Sequence, residues 1–298
     1  MISVILVTYN SMSVLPDCLA SLEINPIASE LEVVVADNAS SDGTLRWLME
    51  YQKSHSFLFA SFQLLELKRN TGYAYANNRA IEQARGDMVL LLNPDTVVGS
   101  DAIVSCKEVL ERDKQIGAIG CRLILRDGSL DRACKRSFPT LWNSFSRLSG
   151  LSLLFPRSRW LASYNLTYLD ETKCYDVDCV SGAFMMVPAS VISIVGALDE
   201  EFFMYGEDID WCYRIKDAGY RVWYEGAATT LHLKGGNGGK STTTSLLYFY
   251  GTMGMYYRKR HPTQLGFWGW TGLRIILAVV YIGHRMLASL RNNKRTPM

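Results

Sequence analysis

Apolar residues in the first hundred positions come in two alternating kinds of run. SVILVTY (3–9), LEVVVADN (31–38), FQLLELK (62–68) and DMVLLLNP (87–94) are short, nearly continuous and rich in Val, Ile and Leu. Between them SVLPDCLASL (13–22), GTLRWLMEYQKS (43–54) and AYANNRAIEQAR (74–85) place apolar side chains at helical spacing. Strands apolar on both faces, separated by amphipathic helices, predict a parallel sheet covered by helices on each side, with right-handed crossovers. Each strand breaks off into polar residues: Thr8-Tyr9-Asn10, Asp37-Asn38, Lys68-Arg69-Asn70 and Asn93-Pro94-Asp95. Such sheets bind ligands beyond the carboxyl ends of their strands, so these four tips should line one crevice.

The pattern changes further on. Residues 117–139 read as a strand, a turn at Asp127-Gly128 and a second strand. Residues 140–174, rich in Ser, Leu and aromatics, read as a variable loop or short helices, and 175–226 returns to strand, helix, loop, helix, strand. No internal repeat is visible. In the tail, 265–298, the uncharged run from Ile275 to Gly283 sits between Arg274 and Arg285, too short for a bilayer span of about 20 residues. Trp268, Trp270 and Tyr281 with Arg285, Arg291, Lys294 and Arg295 suit an amphipathic helix lying on an anionic membrane surface. A helix packed on the domain, or at the seam of a homo-oligomer, is the alternative.

Bulk numbers narrow the class. With 298 residues, 48% hydrophobic and 20% charged, the chain can bury a sizeable core, and a net charge of +2 gives no reason to expect nucleic acid. Seven scattered cysteines form no CxxC pair, which suits a reducing compartment. No basic leader or cleavage site precedes the first strand, so the sequons at Asn38 and Asn165 read as chance matches in a cytoplasmic chain.

Four places carry candidate chemistry. Asn93-Pro94-Asp95 is either a turn device or a hard oxygen donor for a divalent cation on a diphosphate, which takes only one or two protein carboxylates. Asp37 either caps a local turn or accepts a hydrogen bond from a ribose or base. Gly72 precedes a helix whose N-terminus offers free N–H groups, and the adjacent Asn77 and Asn78 are unusual inside a helix without partners. Glu207, Asp208 and Asp210 crowd the start of a helix whose apolar face is Trp211, Cys212 and Ile215. They are either helix-dipole partners or a group whose mutual repulsion holds one carboxylate near the pKa of a general base. His232 ends a strand and meets Lys234 and a run of glycines, where backbone N–H groups can approach phosphate, although the spacing is not that of a P-loop.

Taken in order, SVILVTYN, VVVADNASSDGT, NTGYAYANN, LLLNPDT, the 180–215 stretch and LHLKGG resemble the family-2 glycosyltransferases of the GT-A fold, and within them bacterial rhamnosyltransferases of O-antigen and polysaccharide assembly. The resemblance covers about residues 2–240. It implies an α/β, Rossmann-like, mostly parallel central sheet in a domain of residues 1–262, with a nucleotide-binding half (1–100) and an acceptor and catalytic half (101–262). Residues 263–298 would be the membrane-associating tail. It implies that Thr8, Tyr9, Asn10, Asp37, Asn38, Arg69, Gly72, Asn78, Asn93, Asp95 and Lys234 serve the nucleotide sugar, with Asp37 on the base. Asp95 and His232 would bind Mg²⁺ or Mn²⁺, and Asp208, beside Glu207, would be the catalytic base. Asn93 departs from the family pattern, standing where the first acid of an Asp-x-Asp belongs. The activity implied is inverting transfer of rhamnose from dTDP-rhamnose to a lipid-linked saccharide at the cytoplasmic face of the inner membrane. A UDP-sugar donor (galactose or GlcNAc), or an inactive relative that binds glycan or lipid, are the alternatives. A Rossmann dehydrogenase is excluded, because no GxGxxG follows the first strand.

Overall fold

A computed structural model describes residues 1–234, 243–261, 271–272 and 281–283. The first half runs β1 (Ile2–Thr8), α1 (Leu15–Glu23), β2 (Leu31–Asp37), α2 (Thr44–His55), β3 (Ser61–Glu66), α3 (Tyr73–Ile81), β4 (Met88–Leu92), β5 (Thr96–Val98), α4 (Ala102–Arg112) and β6 (Ile116–Ile124). The second half runs β7 (Lys135–Arg136), α5 (Leu141–Leu148), α6 (Leu151–Leu154), β8 (Tyr175–Val177), β9 (Cys179–Val180), β10 (Phe184–Pro188), α7 (Ala189–Val195), α8 (Glu207–Asp217), β11 (Arg221–His232) and α9 (Thr243–Arg260).

The sheet order is β3-β2-β1-β4-β10-β6-β11-β5, with β8 also on β11. β1, β2, β3 and β4 are parallel, as are β6 and β11, while β10 enters antiparallel between β4 and β6. Every residue of β1, β2 and β4 is buried. That burial explains their unbroken apolar runs, because helices cover both faces of these strands.

The topology fixes where a ligand goes. From β1 the chain winds outward to β2 and β3, then returns to place β4 on the other side of β1. The strand order therefore reverses between β1 and β4, and the crevice of an open α/β sheet lies at that switch point. The tips that meet there carry Tyr9 on one side and Asn93 to Asp95 on the other.

One expected hairpin is a different structure. After β6 and the Asp127-Gly128 turn, Leu130 makes only an isolated bridge back to Ile124, and β7 pairs with β9 in a separate ribbon. The reason is local: Asp131 turns the chain back on itself, accepting from Ala133 N, with Cys134 N on its carbonyl. All seven cysteines are free and six are buried. Among the described residues no helix is long and apolar enough to cross a membrane. The expected basic, aromatic tail and the glycine-rich turn after Lys234 lie outside the described residues, apart from two short pieces of the tail.

Candidate active site

A cavity of about 920 Å³ opens at the switch point, and Tyr9, Asn38, Gly72, Asn93 and Asp95 line it from the β1–β4 half. β4 ends because Pro94 cannot donate to a ladder, and Thr96 N closes the turn onto the Asn93 carbonyl at 3.2 Å. The chain then re-enters the sheet as β5, antiparallel to β11, with Thr96 opposite His232. That register brings together residues far apart in sequence: His232 Nε2 is 3.3 Å from Asp95 Oδ1. Asp131 is buried behind them, with Oδ2 2.8 Å from His232 Nδ1 and Oδ1 accepting from Lys234 Nζ at 2.7 Å. Burial alone would raise the Asp131 carboxyl, but its hydrogen bonds with His232 and Lys234 override that and hold it well below the usual carboxylate range. Burial likewise would lower the His232 imidazole, and bonding to Asp131 and Asp95 instead lifts it to about 9.

This donor set fits a divalent cation that displaces the proton between His232 Nε2 and Asp95, because only the neutral imidazole is a ligand. A carboxylate and an imidazole nitrogen converge, and the second nitrogen of the ring is fixed by a buried carboxylate, as metal-binding histidines are commonly held. No group of three or more such side chains among the described residues forms a closed metal site. A cation here would therefore take its remaining ligands from a bound diphosphate and water, the coordination Mg²⁺ prefers.

The second acidic group comes from the N-terminus of α8. Gly206 precedes it with φ +84°, and Glu207 and Asp208 face the same cavity. Asp208 Oδ2 accepts from Arg136 at 2.6 Å and from the Gly182 N–H at 3.2 Å. Arg136 is itself buried on β7 and also donates to the Val180 carbonyl at 2.9 Å. Glu207 is buried, and its Oε2 has no hydrogen-bond partner. Burial first, then the charge of Asp208, push its carboxyl up to about 8. The repulsion expected among three acids is thus confined to two. Asp210 turns away, is fully buried, and is neutralised by Arg214 at 3.0 Å and by Arg260 of α9. The apolar face of α8 is as expected, with Trp211, Cys212 and Ile215 inaccessible to solvent.

The Glu207 shift has a sign that can be measured. The unfolded chain loses this proton near 4.5, whereas the fold keeps it to about 8. Its contribution to stability is full below the unfolded value and is lost as pH rises through about 8. The melting temperature of the parent is expected to fall more steeply than that of Glu207→Gln between about pH 6 and pH 9. Equal slopes would remove the case for a protonated Glu207.

Nine of the sequence-derived residues line the cavity: Tyr9, Asn38, Gly72, Asn93, Asp95, Glu207, Asp208, His232 and Lys234. Asn38 also shapes it, accepting from Thr71 N at 2.9 Å and donating to the Gly72 carbonyl at 3.2 Å. Gly72 has φ +88°, and a Cβ there would lie 2.5 Å from the Phe203 carbonyl oxygen, so no other residue fits. The other five do not line this cavity. Thr8 and Asp37 are fully buried, opposite each other on β1 and β2, and Asp37 spends its oxygens on the Thr8 hydroxyl (3.0 Å) and Ser40 N (2.9 Å). Asn10 holds Ser41 N at 2.7 Å. Asn78 exchanges two hydrogen bonds with the backbone of Leu198, at 2.8 and 3.0 Å, which ties α3 to the loop before α8. Arg69 is exposed and does not line the cavity.

Three contributors went unread in the sequence. Arg136 and Asp131 stand in a stretch that offered only a hairpin. The third is an aromatic wall: Phe203 stacks on Tyr248 of α9 at 4.7 Å, and Tyr205 meets Phe249 edge-on at 6.0 Å, all four lining the cavity. The aromatics crowded into 248–257 were the available signal.

The family model described as glycosyl transferase family 2 matches residues 3–192. The chain is 30% identical to the N-acetylglucosaminyl-diphospho-decaprenol L-rhamnosyltransferase of Mycobacterium tuberculosis, over 98% of this chain and 95% of that protein. Among solved structures it resembles the mannosyltransferase PcManGT from Pyrobaculum calidifontis in complex with GDP-Man and Mn²⁺, at TM-score 0.63 and 16% identity, covering all of this chain and 76% of the other. It also resembles TarS of Staphylococcus aureus in complex with UDP-GlcNAc, at TM-score 0.58 and 17% identity, over 95% of this chain and 72% of that one. At such identities these structures establish the GT-A architecture of the sheet.

Proposed function

Because this chain belongs to glycosyl transferase family 2, we propose that it transfers rhamnose from dTDP-rhamnose, with inversion, to a hydroxyl of a lipid-linked acceptor in cell-surface glycan synthesis. One observation carries the reading. A cation-competent pair, Asp95 with His232, and an acidic pair, the Asp208 carboxylate beside the protonated Glu207, open into the same cavity at the sheet's switch point. The near full-length likeness to a rhamnosyltransferase named for a diphospho-decaprenol substrate supports both donor and acceptor class.

The roles follow from chemistry. Tyr9, Asn38, Gly72 and Asn93 receive the nucleotide, and the aromatic wall offers faces for a sugar ring. Asp95 and His232 would hold Mg²⁺ or Mn²⁺, which when bound neutralises charge growing on the leaving diphosphate. Asp208 takes the proton of the acceptor hydroxyl as its oxygen bonds to the anomeric carbon. The bond from that carbon to the diphosphate breaks, and its electron pair leaves with the nucleotide. Arg136 and the Gly182 N–H keep Asp208 Oδ2 in place for this step. In this reading the protein works at the cytoplasmic face of the inner membrane, and residues 263–298 add a basic, aromatic contact with it.

Thermal melts with dTDP-rhamnose, UDP-GlcNAc, UDP-galactose and GDP-mannose, each with and without Mn²⁺, test the proposal. A ligand at a hundredfold excess over its Kd stabilises by about 2.7 kcal/mol, a rise of several degrees for a domain of this size. The largest rise is expected with dTDP-rhamnose and Mn²⁺. A larger rise with a UDP-sugar would overturn the donor assignment. No rise with any of them would favour an inactive glycan-binding relative.

A further inference from the structure

The helix α5 is built inside out. Its buried side chains are Asn143, Ser144 and Ser146, while Leu141, Trp142 and Phe145 stand exposed, Phe145 at 56%. A solvent-facing helix of a globular domain shows the reverse arrangement. The helix is nonetheless firmly defined: Thr140 Oγ1 accepts from Asn143 N at 3.2 Å, and Asn143 Oδ1 accepts from Thr140 N at 2.7 Å, a complete capping box. Its inward polar side is satisfied too, with Asn143 donating to the Phe138 carbonyl at 2.9 Å and Ser146 to the Leu161 carbonyl at 2.6 Å. The exposed apolar side is therefore not the result of a helix in the wrong register.

The apolar surface continues past α5. Leu153, Leu154, Phe155 and Trp160 are exposed, Leu154 at 72% and Trp160 at 79%. The Trp142 indole N–H donates to the Trp160 carbonyl at 3.1 Å, which ties the two segments together. Seven of the sixteen large apolar side chains exposed among the described residues lie within 141–160, so this is a patch and not scatter. Its charge is one-sided. Between Asp131 and Asp170 the sequence has no acid, and Arg132, Arg157 and Arg159 are exposed, while Arg147 donates to Asn165 and faces the cavity. Exposed Trp, Phe and Leu with exposed arginines and no acid in the same stretch of chain are the composition of a surface that sits in the headgroup layer of an anionic bilayer. The helix that carries the patch also borders the cavity, which Ser144, Arg147 and Leu148 line.

We infer that the α5–α6 face is a docking surface for an anionic lipid bilayer, distinct from the tail, and that it seats the cavity against the membrane. The use suggested for it, delivery of a lipid-linked acceptor, rests on the proposed function; the surface itself does not.

The test is co-sedimentation of the full chain with vesicles of phosphatidylcholine, alone or with about 30% phosphatidylglycerol. Three full-length variants are compared: F145S/L154S/F155S/W160S on the face, R157S/R159S at its rim, and R291S/K294S/R295S in the tail. The face variant is expected to lose partitioning at least about tenfold. The rim variant should lose most of the preference for phosphatidylglycerol, and both should melt like the parent and retain transfer to a short water-soluble acceptor. A face variant that binds as the parent does, with loss confined to the tail variant, overturns the inference. So does a face variant that changes only from dimer to monomer on sizing, because the patch would then join two copies of this chain. A parent that binds these vesicles through the face yet transfers no sugar to any acceptor upholds the docking surface and refutes the proposed activity instead.

Discussion

Asp208→Asn is expected to lower kcat by about 10²–10⁴-fold, the usual contribution of a positioned general base, while donor affinity stays within about twofold of the parent. The prediction depends on where this carboxylate sits. Asp208 lines the cavity, yet its contacts are on the protein side, Oδ2 with Arg136 and the Gly182 N–H and Oδ1 with the Ile209 N–H at 2.8 Å. The amide retains the shape and loses the proton acceptor. It also leaves Arg136 without its carboxylate partner in a buried place, a change that is ordinarily destabilising. Glu207 limits that loss. The charge of Asp208 is the second cause of its raised pKa, and Arg136 already pulls the other way, so without Asp208 the neighbouring carboxyl ionises more readily and faces the same guanidinium. Turnover and melting temperature measured together separate the catalytic effect from the structural one. If Glu207→Gln lost turnover while Asp208→Asn lost none, the base would be Glu207.

Asp95→Ala should cost about 10²–10³-fold in kcat/KM, the scale associated with removing one stabiliser of developing charge. Most of the loss should appear as lost dependence on Mn²⁺. Asp95 and His232 are brought together by a single register, that of β5 on β11, so removing the carboxylate leaves the imidazole in place without a partner for a cation. Asp131→Asn should act in the same direction but more weakly, by about 10–100-fold, because Asp131 only aims the ring. Kinetics over a range of Mn²⁺ concentrations check both. An Asp95→Ala enzyme with the parent's metal dependence would remove this residue from the site.

What the sequence made legible, and what it hid, has a physical division. The strand tips were readable because an apolar run ending in Asn-Pro-Asp leaves few alternatives, and parallel topology then brings the tips together. Trp211, Cys212 and Ile215 were readable from helical spacing alone. The partners of Thr8, Asp37 and Asn78 were not, because a polar side chain at a strand tip or on a helix gives no sign of which way it faces. Asp37 accepts from the buried Thr8 hydroxyl, and Asn78 donates to the Leu198 carbonyl. Asp210 looked equivalent to Glu207 and Asp208 until α9 brought Arg260 to it, a contact spanning fifty positions that no local pattern records. Arg136 was hidden for the same reason. It matters only because β7 pairs with β9 instead of folding back on β6.

The central claim is that the two acidic groups divide the work, Asp95 with His232 serving the donor diphosphate and Asp208 serving the acceptor. Calorimetric titration of dTDP-rhamnose into the parent, Asp95→Ala and Asp208→Asn, with and without Mn²⁺, tests that division most directly. The parent and Asp208→Asn should bind alike and more tightly with Mn²⁺, whereas Asp95→Ala should bind weakly and show no response to the metal. Equal, metal-responsive binding by all three proteins would contradict it.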